Sequence, residues 1–491
     1  MDYNNQFSTQ QTQKINSFIG KQEKGMINTR IICTIGPASN TPKMLHKMAE
    51  EGMNIVRLNM SHGDHQSHLE VIEMAKQINK NAQYPIALLL DTQGPEIRTG
   101  CMEMDLVEGE IITVNTPPLP EQVEGCLYVN YPHLVDTVKV GDRITVDSGL
   151  INLEVVDKNE RTMQCRILDG GYIKGRRHVN LPGIHVEIPA ITEKDKSDIL
   201  FGVENGIDYI ALSFVRNENA IFELKELLGE KGCHIKIIAK IENYEGVQNM
   251  EEIIKEVDGI MVARGDLGIE VNMEDLPSIQ RQIAYHCAVH GKSLIVATHL
   301  LESMIENPIP TRAEITDIAN AVYEDADAIM LSGETASGKF PVRAIQSMKK
   351  TAQKAEQYPG VQYAKDIVKT DDLQHIAFAA IQLVDDLMLK GILVFTQSGR
   401  SAVIVSRCRP ARIRIYAFTN SPKTQSTLIL NRSVYPFIIE FHDDFEKTVQ
   451  EALGRLRETG DFQKGDQMIV IHEIVTENGD MAPSIQVRNV F

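Results

Sequence analysis

Two acidic residues and a lysine follow two short apolar segments of the chain. The segment "KIIAKIEN" (236–243) is interrupted by Lys240 and Glu242, and "GIMVARGDLG" (259–268) carries Asp266 near its end. Residues two apart on a strand point to the same face, so Lys240 and Glu242 project together. Two carboxylates without His or Cys suit a hard cation such as Mg²⁺ or Mn²⁺. The alternative is a structural salt bridge at the strand ends.

Lys240 and Arg57 supply positive charge to the same predicted region. Arg57 lies in "NIVRLNMSHG" (54–63), another apolar segment that ends in polar residues. Phosphoryl transfer depends mainly on charges placed around the moving phosphoryl group. The two cations therefore favour phosphoryl-transfer chemistry, with an ordinary ion pair to a carboxylate as the alternative for Arg57.

A second polar group combines neutral oxygens with one carboxylate. Asn59 and Ser61 end one apolar segment, and Asp91 and Thr92 end the next. This set suits a large monovalent cation better than a divalent one. The alternative is a cluster of hydrogen-bonded polar side chains.

Gly265 lies beside Asp266 in the segment 259–268, and Thr298 and Ser332 follow two further apolar segments. Gly265 would let the backbone approach a ligand, and N–H groups at the start of the helical turn that follows would suit a carboxylate or phosphate. The alternative is a tight turn. The hydroxyls of Thr298 and Ser332 would relay a proton through water or cap helices.

Eight apolar segments between residues 29 and 332 must position these groups. Amphipathic helical patterns follow most of them, which predicts βα units closed into a (β/α)8 barrel with catalytic groups at the C-terminal strand ends. After the third segment, Val-, Ile-, Thr- and Gly-rich sequence predicts an all-β insertion. Alternating helices and strands beyond residue 350 predict an open α/β domain, with "TENGDMAPS" (476–484) as a loop near its end.

These patterns predict four parts of the chain. They are a polar N-terminal arm (1–25), a (β/α)8 barrel (26–93 and 179–350), a β-rich insertion (94–178) and a C-terminal α/β domain (355–491), of which the resemblance given below makes the insertion a lid and the last domain regulatory.

Composition restricts the classes of function. The 491 residues carry a net charge of −17, which disfavours nucleic acid as a partner. The seven cysteines form no Cys-x-x-Cys pair, which disfavours zinc and disulfide frameworks. No apolar run approaches the ~20 residues of a membrane helix, and no secretory signal is visible. We therefore expect a cytoplasmic protein that binds no membrane. A P-loop and a Rossmann glycine fingerprint are both missing from the sequence.

The sequence resembles the pyruvate kinase family over roughly residues 28 to 491. The motifs, in family order, are "IICTIGPAS", "RLNMSHG", "LDTQGPEIRTG", "VNLPG", "EKD", "AKIEN", "MVARGDLG", "PTRAE" and "LSGETA". The resemblance implies transfer of a phosphoryl group from phosphoenolpyruvate to ADP, giving pyruvate and ATP as the last step of glycolysis. It also implies a barrel interrupted by a lid, a C-terminal regulatory domain and a homotetramer.

The resemblance also implies roles for residues that match the motifs. Glu242 and Asp266 would hold Mg²⁺, while Lys240 and Arg57 would stabilise the moving phosphoryl group. The backbone of Gly265 and Asp266, with Thr298, would bind the substrate carboxylate. Thr298 and Ser332 would relay the proton that the enolate takes up.

Three further sets of residues take roles from the resemblance. The K⁺ ligands would be Asn59, Ser61, Asp91 and Thr92. The residues near the nucleotide would be Asn59, His62, Arg98 and Lys194. A sugar-phosphate effector would bind the loop of Thr396, Ser398, Gly399, Arg400 and Ser401, for which a simple helix cap is the alternative.

The chain departs from the family pattern at several positions. Gln93 replaces a Lys, Ser148 follows Asp147 in place of a second Asp, His178 replaces a Gly and His299 replaces a Gln. These changes put nucleotide affinity and lid closure in doubt. The resemblance implies that members with Glu at the position of Glu96 need K⁺. In members with Lys there, the side-chain ammonium replaces the ion, and a Glu cannot do so.

Two rival functions remain at this stage. An Mg²⁺-dependent aldolase or lyase on a similar barrel would bind a related enolate, but it would lack the lid after strand 3 and the monovalent site. A non-catalytic scaffold that kept the fold would have lost charged site residues first, and Arg57, Asp91, Lys240, Glu242 and Asp266 are all present.

Overall fold

The structure is a computed structural model that describes residues 27–80, 82, 84–410, 413–475 and 481–491. The predicted N-terminal arm (1–25) lies outside the described residues. In chain order the strands are β1 (Arg30–Thr34), β2 (Ile55–Asn59), β3 (Ala87–Asp91), β4 (Met104–Leu106), β5 (Ile111–Asn115), β6 (Cys126–Tyr128), β7 (Arg143–Val146), β8 (Ile151–Lys158), β9 (Thr162–Asp169), β10 (Gly171–Ile173), β11 (Val179–Asn180), β12 (Tyr209–Leu212), β13 (Lys236–Ile241), β14 (Gly259–Ala263), β15 (Ser293–Ala297), β16 (Ala328–Leu331), β17 (Gly391–Phe395), β18 (Arg414–Thr419), β19 (Val434–Ile438), β20 (Gln467–Val475) and β21 (Met481–Asn489).

Helices connect most of these strands. In chain order they are α1 (Pro42–Glu51), α2 (His65–Asn79), α3 (Leu134–Thr137), α4 (Glu193–Glu204), α5 (Glu218–Gly232), α6 (Tyr244–Gln248), α7 (Met250–Glu256), α8 (Arg264–Glu270), α9 (Leu276–Val289), α10 (Arg312–Tyr323), α11 (Gly333–Ala336), α12 (Pro341–Ala355), α13 (Asp372–Leu387), α14 (Arg400–Arg407), α15 (Pro422–Leu428) and α16 (Phe445–Glu458). Side-chain caps fix several starts; Asp64, Thr192 and Thr311 form capping boxes at α2, α4 and α10.

Eight parallel strands form a closed barrel in the order β1-β16-β15-β14-β13-β12-β3-β2. The strands are almost entirely buried because side chains of one face fill the interior and those of the other pack under the helices. Interior residues include Ile55, Tyr209 and Met261. The predicted (β/α)8 barrel is confirmed, and all its parallel strands end at one rim.

The insertion after β3 is a lid of β-structure with its own apolar core. Its main sheet has the order β11-β7-β8-β9-β5-β6, and β10 pairs with β4 in a second sheet. One single-turn helix, α3, is the exception to the predicted all-β composition. The strand β11 extends the lid sheet just past residue 178.

Gly94 turns the chain from the barrel into the lid. Its φ is +74°, and a Cβ there would lie 2.8 Å from the side chains of Ser213 and Phe214. A larger residue would therefore suffer both backbone strain and overlap. The N–H of Gly94 donates to Asp195 at 3.0 Å, which anchors the turn to α4.

The C-terminal part is an open sheet in the order β19-β18-β17-β20-β21, with helices packed against it. The predicted α/β character is confirmed, but the sequence patterns missed α15, β19, α16 and β21. The expected loop 476–484 is wrong at its end, because β21 begins at Met481 and pairs antiparallel with β20. Residues 476–480 of that loop lie outside the described residues. A search of the described residues found no helix long and apolar enough to span a membrane.

A buried ion-pair cluster joins the barrel to the C-terminal part. Asp327, directly before β16, accepts from Arg407 at 2.7 Å and from Arg409 at 2.7 Å, and its carboxylate is fully buried. The N–H groups of Leu294 and Arg432 add bonds at 3.0 and 3.1 Å. Burial alone would raise the pKa of Asp327, but the two guanidinium groups outweigh it and lower the pKa.

We expect Asp327→Asn to lower the free energy of unfolding by about 3–5 kcal/mol, because two buried cations lose their partner. The control is Glu154→Gln, which breaks the exposed pair with Arg166 at 3.3 Å and should cost less than ~1 kcal/mol. Denaturant unfolding measures both. Because the pKa of Asp327 is lowered in the folded state, its carboxylate stabilises the fold above about pH 4, the ordinary pKa of an aspartate. The loss of unfolding free energy in D327N should therefore be complete above that pH and should shrink in stronger acid. Equal stability of D327N and E154Q would contradict this assignment.

Candidate active site

Asp91 is the centre of a charged cluster at the barrel rim. It ends β3 and is fully buried, and Arg57 of β2 donates to it through Nε at 2.6 Å. Lys240 of β13 places Nζ 3.0 Å from the other carboxylate oxygen. Burial alone would raise the pKa of Asp91, but Arg57 and Lys240 lower it. Asp91 therefore fixes the positions of both cations.

Lys240 lies between two carboxylates and a hydroxyl. Its Nζ is 3.0 Å from Asp91, 2.9 Å from Glu242 and 2.8 Å from the Ser213 hydroxyl. Burial lowers the pKa of this ammonium, but the charges of Asp91 and Glu242 outweigh burial and raise it. Lys240 is therefore a permanent cation at the rim.

Glu242 has one carboxylate oxygen bound and one left open. Oε2 accepts from the Phe214 N–H at 2.8 Å. Oε1 is buried and accepts no hydrogen bond among the described residues. Lys240 Nζ lies 2.9 Å from it as an ion pair, but the angle does not suit a hydrogen bond. Burial raises the pKa of Glu242 to about 7; Lys240 opposes this, while Asp266 and Asp91 add to it.

A divalent cation fits this arrangement. Asp266 lies at the start of α8, directly after β14, and β14 pairs in parallel with β13. The described residues contain no group of three or more His, Cys, Asp and Glu side chains suited to a metal. Two carboxylates with an open buried oxygen match an ion that keeps substrate oxygens or water in its other positions.

The proposed substrate-carboxylate site is formed by α8 and the end of β15. The N–H of Gly265 donates to the Thr298 hydroxyl at 2.8 Å, so a ligand would have to displace that hydroxyl. A Cβ on Gly265 would meet Thr298 and His299 at 3.6 Å, an ordinary contact. Thr298 has a φ of +64°, which is rare for a β-branched residue and marks a site under backbone strain.

Ser332 follows β16, the strand next to β15. Its hydroxyl oxygen is buried without a hydrogen-bond partner in the described part of the chain. It stands before α11 but makes no capping bond. The helix-cap alternative is therefore not supported for Ser332.

The proposed monovalent set shares Asp91 with the charged cluster. Asn59 accepts from the Ser61 N–H at 3.3 Å, and the carbonyl of Thr92 accepts from the Ser213 hydroxyl at 2.6 Å. Asn59 and Asp91 are paired residues of β2 and β3. The structure thus brings Asn59, Asp91 and Thr92 to adjacent strand ends.

Sequence reasoning missed Ser213 and Thr34. Ser213 follows β12 and contacts Lys240, Thr92 and, at 3.4 Å, Asp91. Thr34 ends β1 and accepts from Arg57 at 2.8 Å. Both follow predicted apolar segments, so a comparison of all eight strand ends would have found them.

The candidate nucleotide residues form two groups. Lys194 of α4 donates to the Met60 carbonyl at 2.6 Å and to Asp198 at 2.7 Å. The carbonyl of His62 lies nearby, where it accepts from His68 at 2.9 Å. Arg98 follows the turn into the insertion, where its side chain contacts Glu96, the Arg176 carbonyl and His178.

The C-terminal loop is closed by its own hydrogen bonds. Thr396 accepts from the Gly399 N–H at 3.0 Å, and Ser398 accepts from the Arg400 N–H at 3.4 Å. The Arg400 guanidinium pairs with Asp371 at 2.6 Å, and Ser401 is buried. Gly399 at the N-cap position has no side chain, but the Thr396 and Ser398 hydroxyls bind N–H groups at the start of α14, so the helix-cap alternative remains open.

Comparisons with known families agree with this geometry. The family model described as "Pyruvate kinase, barrel domain" matches residues 26–345. The chain belongs to the pyruvate kinase family. A second model, "Pyruvate kinase, alpha/beta domain", matches residues 374–487.

Individual relatives extend over most of the chain. Plastidial pyruvate kinase 2 of Arabidopsis thaliana is 41% identical over 94% of this chain and 81% of the relative. Pyruvate kinase of Geobacillus stearothermophilus is 41% identical over 90% of this chain and 77% of the relative. Pyruvate kinase of Dictyostelium discoideum is 39% identical over 94% of each. Membership of the pyruvate kinase family favours a phosphotransferase over the aldolase and scaffold alternatives.

Proposed function

We propose that the chain transfers the phosphoryl group of phosphoenolpyruvate to ADP, giving pyruvate and ATP. The observation that carries this is the buried ammonium of Lys240 between Asp91 and Glu242, with Arg57 on the far side of Asp91. Fixed positive charge beside a cation site is what a transferring phosphoryl group requires.

The proposed divalent cofactor is Mg²⁺ or Mn²⁺, held by Glu242 and Asp266. When bound, it would neutralise charge on the phosphoryl and carboxylate oxygens of the substrate. The open Oε1 of Glu242 supports this assignment.

The remaining roles belong to the chain's own side chains. Lys240 would face the phosphoryl group, because its position between two carboxylates fixes Nζ at the rim. Arg57 would hold a second phosphoryl oxygen. Gly265, Asp266 and Thr298 would bind the substrate carboxylate. Thr298 and the unpartnered hydroxyl of Ser332 would pass a proton through water to the enolate carbon.

Six further assignments rest on sequence and stay proposals. K⁺ would be held by Asn59, Ser61, Asp91 and Thr92, and the nucleotide would lie near Asn59, His62, Arg98 and Lys194. A sugar phosphate would bind the loop 396–401 of a homotetramer. The chain would divide into the barrel (26–93 and 179–350), the lid (94–178) and the regulatory domain (355–491). The enzyme would be cytoplasmic.

A coupled ATP-production assay tests the function and its monovalent requirement together. With phosphoenolpyruvate, ADP and Mg²⁺, we expect ATP in K⁺ buffer and at least ~10-fold slower turnover in choline buffer, because a stabilising charge is lost. Absence of ATP in every buffer would contradict the proposed function. Equal rates in K⁺ and choline would contradict the K⁺ requirement alone.

A further inference from the structure

The lid hinge is a crossing of two extended segments, residues 96–99 entering the lid and 176–179 leaving it. The N–H of Thr99 donates to the Arg177 carbonyl at 2.8 Å, and the N–H of Val179 donates to the Ile97 carbonyl at 2.9 Å. Arg98 and His178 stand opposite each other as an antiparallel bridge. Side chains on this crossing therefore connect both hinge segments.

One ring nitrogen of His178 faces two charged partners. Its Nε2 lies 2.9 Å from a terminal nitrogen of Arg98 and 3.1 Å from Oε1 of Glu96. Arg98 can only donate, so this contact needs a lone pair on Nε2. Glu96 can only accept, so its contact needs a proton on the same atom. The two contacts cannot both be hydrogen bonds at once.

The rest of the cluster holds Glu96 and Arg98 in place. Arg98 donates through Nε to Glu96 at 2.6 Å and through its other terminal nitrogen to the Arg176 carbonyl at 2.8 Å. Gln93 donates to Glu96 at 2.8 Å. Burial alone would raise the pKa of Glu96, but its hydrogen-bond donors lower it. Glu96 is therefore an acceptor that holds the Nε of Arg98 in place.

We propose that His178 is a positioning residue that orients Arg98 for the nucleotide by accepting from its guanidinium at Nε2. This contact fixes the third guanidinium nitrogen, because Glu96 and the Arg176 carbonyl hold the other two. The inference rests on the proposed function, because it assumes that Arg98 binds the nucleotide.

Other charged groups surround the hinge and a cavity of about 570 Å³ beside it. The titratable and charged side chains lining that cavity or packed at the crossing are Asp147, Arg177, His185, Arg216, Glu245 and Glu270. They are engaged with one another or with neighbouring groups: Arg177 with Asp147 at 3.5 Å, His185 with Glu245 at 2.8 Å, Glu270 with Asn180 at 2.9 Å, and Arg216 with backbone carbonyls. His185 is the second titratable ring, so it serves as the control.

The test measures the KM for ADP, kcat and the KM for phosphoenolpyruvate. His178→Gln supplies a carbonyl to Arg98 and an amide N–H to Glu96 at once, so its KM for ADP should stay close to that of the parent. His178→Lys can only donate and places a positive charge beside Arg98, so its KM for ADP should rise by about 10-fold, the scale of one charge-assisted hydrogen bond.

His185→Gln, in the same cavity, should follow the parent. Calorimetric binding of ADP in the presence of Mg²⁺ should show the same order of affinities without turnover. A parental KM for ADP in H178K, or an effect on kcat or phosphoenolpyruvate instead, would overturn the inference. Failure of the parent to make ATP would instead overturn the proposed function.

Discussion

Lys240→Met is expected to lower kcat for ATP formation by about 10³-fold or more. Removing one charge that stabilises a transition state typically costs about 10²–10³, and phosphoryl transfer depends on such charges more than most reactions. Lys240 contacts both Asp91 and Glu242, so its loss also leaves two buried carboxylates without their shared cation. The rate assay with phosphoenolpyruvate and ADP measures the effect.

Lys236→Met is the matched control. Lys236 begins the same strand at the opposite end, where it pairs with Asp258 at 3.0 Å and is partly exposed. We expect K236M to retain parental kcat within about twofold, since surface ion pairs contribute less than ~1 kcal/mol. Circular dichroism and thermal melting separate lost catalysis from lost folding in K240M. A folded K240M protein with parental turnover would refute the role of Lys240.

Lys240→Arg adds a check on geometry. It keeps the positive charge but replaces a compact ammonium with a planar guanidinium. Because Nζ contacts three groups within 3.0 Å, the larger head cannot reproduce all three contacts. K240R should be stable yet remain at least ~10-fold slow, since a small displacement of a catalytic charge costs rate. Near-parental turnover of K240R would indicate that charge alone matters.

Glu242→Gln is expected to weaken divalent-cation binding by more than about 100-fold. The amide keeps an oxygen for the Phe214 N–H, so the local fold should persist. It loses the negative charge of a ligand, and even outer-shell changes at metal sites cost about 10–100-fold in affinity. Electron paramagnetic resonance of bound Mn²⁺ measures this without catalysis, and kcat/KM for phosphoenolpyruvate should fall in parallel.

Glu245→Gln is the control for E242Q. Glu245 stands shortly after Glu242, in α6, and pairs with the exposed ring of His185 at 2.8 Å. E245Q should bind Mn²⁺ as the parent does. Parental Mn²⁺ affinity in E242Q would remove Glu242 from the metal site, and loss in both variants would point to a disturbed loop. Asp266→Asn should behave as E242Q does if the two carboxylates share one ion.

The sequence by itself predicted the barrel and most of the charged residues at its rim. Apolar strands that alternate with amphipathic helices leave few topologies, and parallel strands in a closed barrel end at one rim. Arg57, Asp91, Lys240 and Glu242 could therefore be assigned to one site from their places after apolar segments. The matching motifs added the family and its reaction.

Tertiary structure alone decided which of these groups touch. The Lys240–Asp91 pair, the part played by Ser213 and the two partners of His178 connect residues far apart in the chain. Strand β21 likewise depends on pairing with β20. Periodicity along a segment shows which face of that segment is buried, whereas partners are set by strand order, barrel closure and the cost of burying unpaired charge, all of which arise only when distant segments pack together.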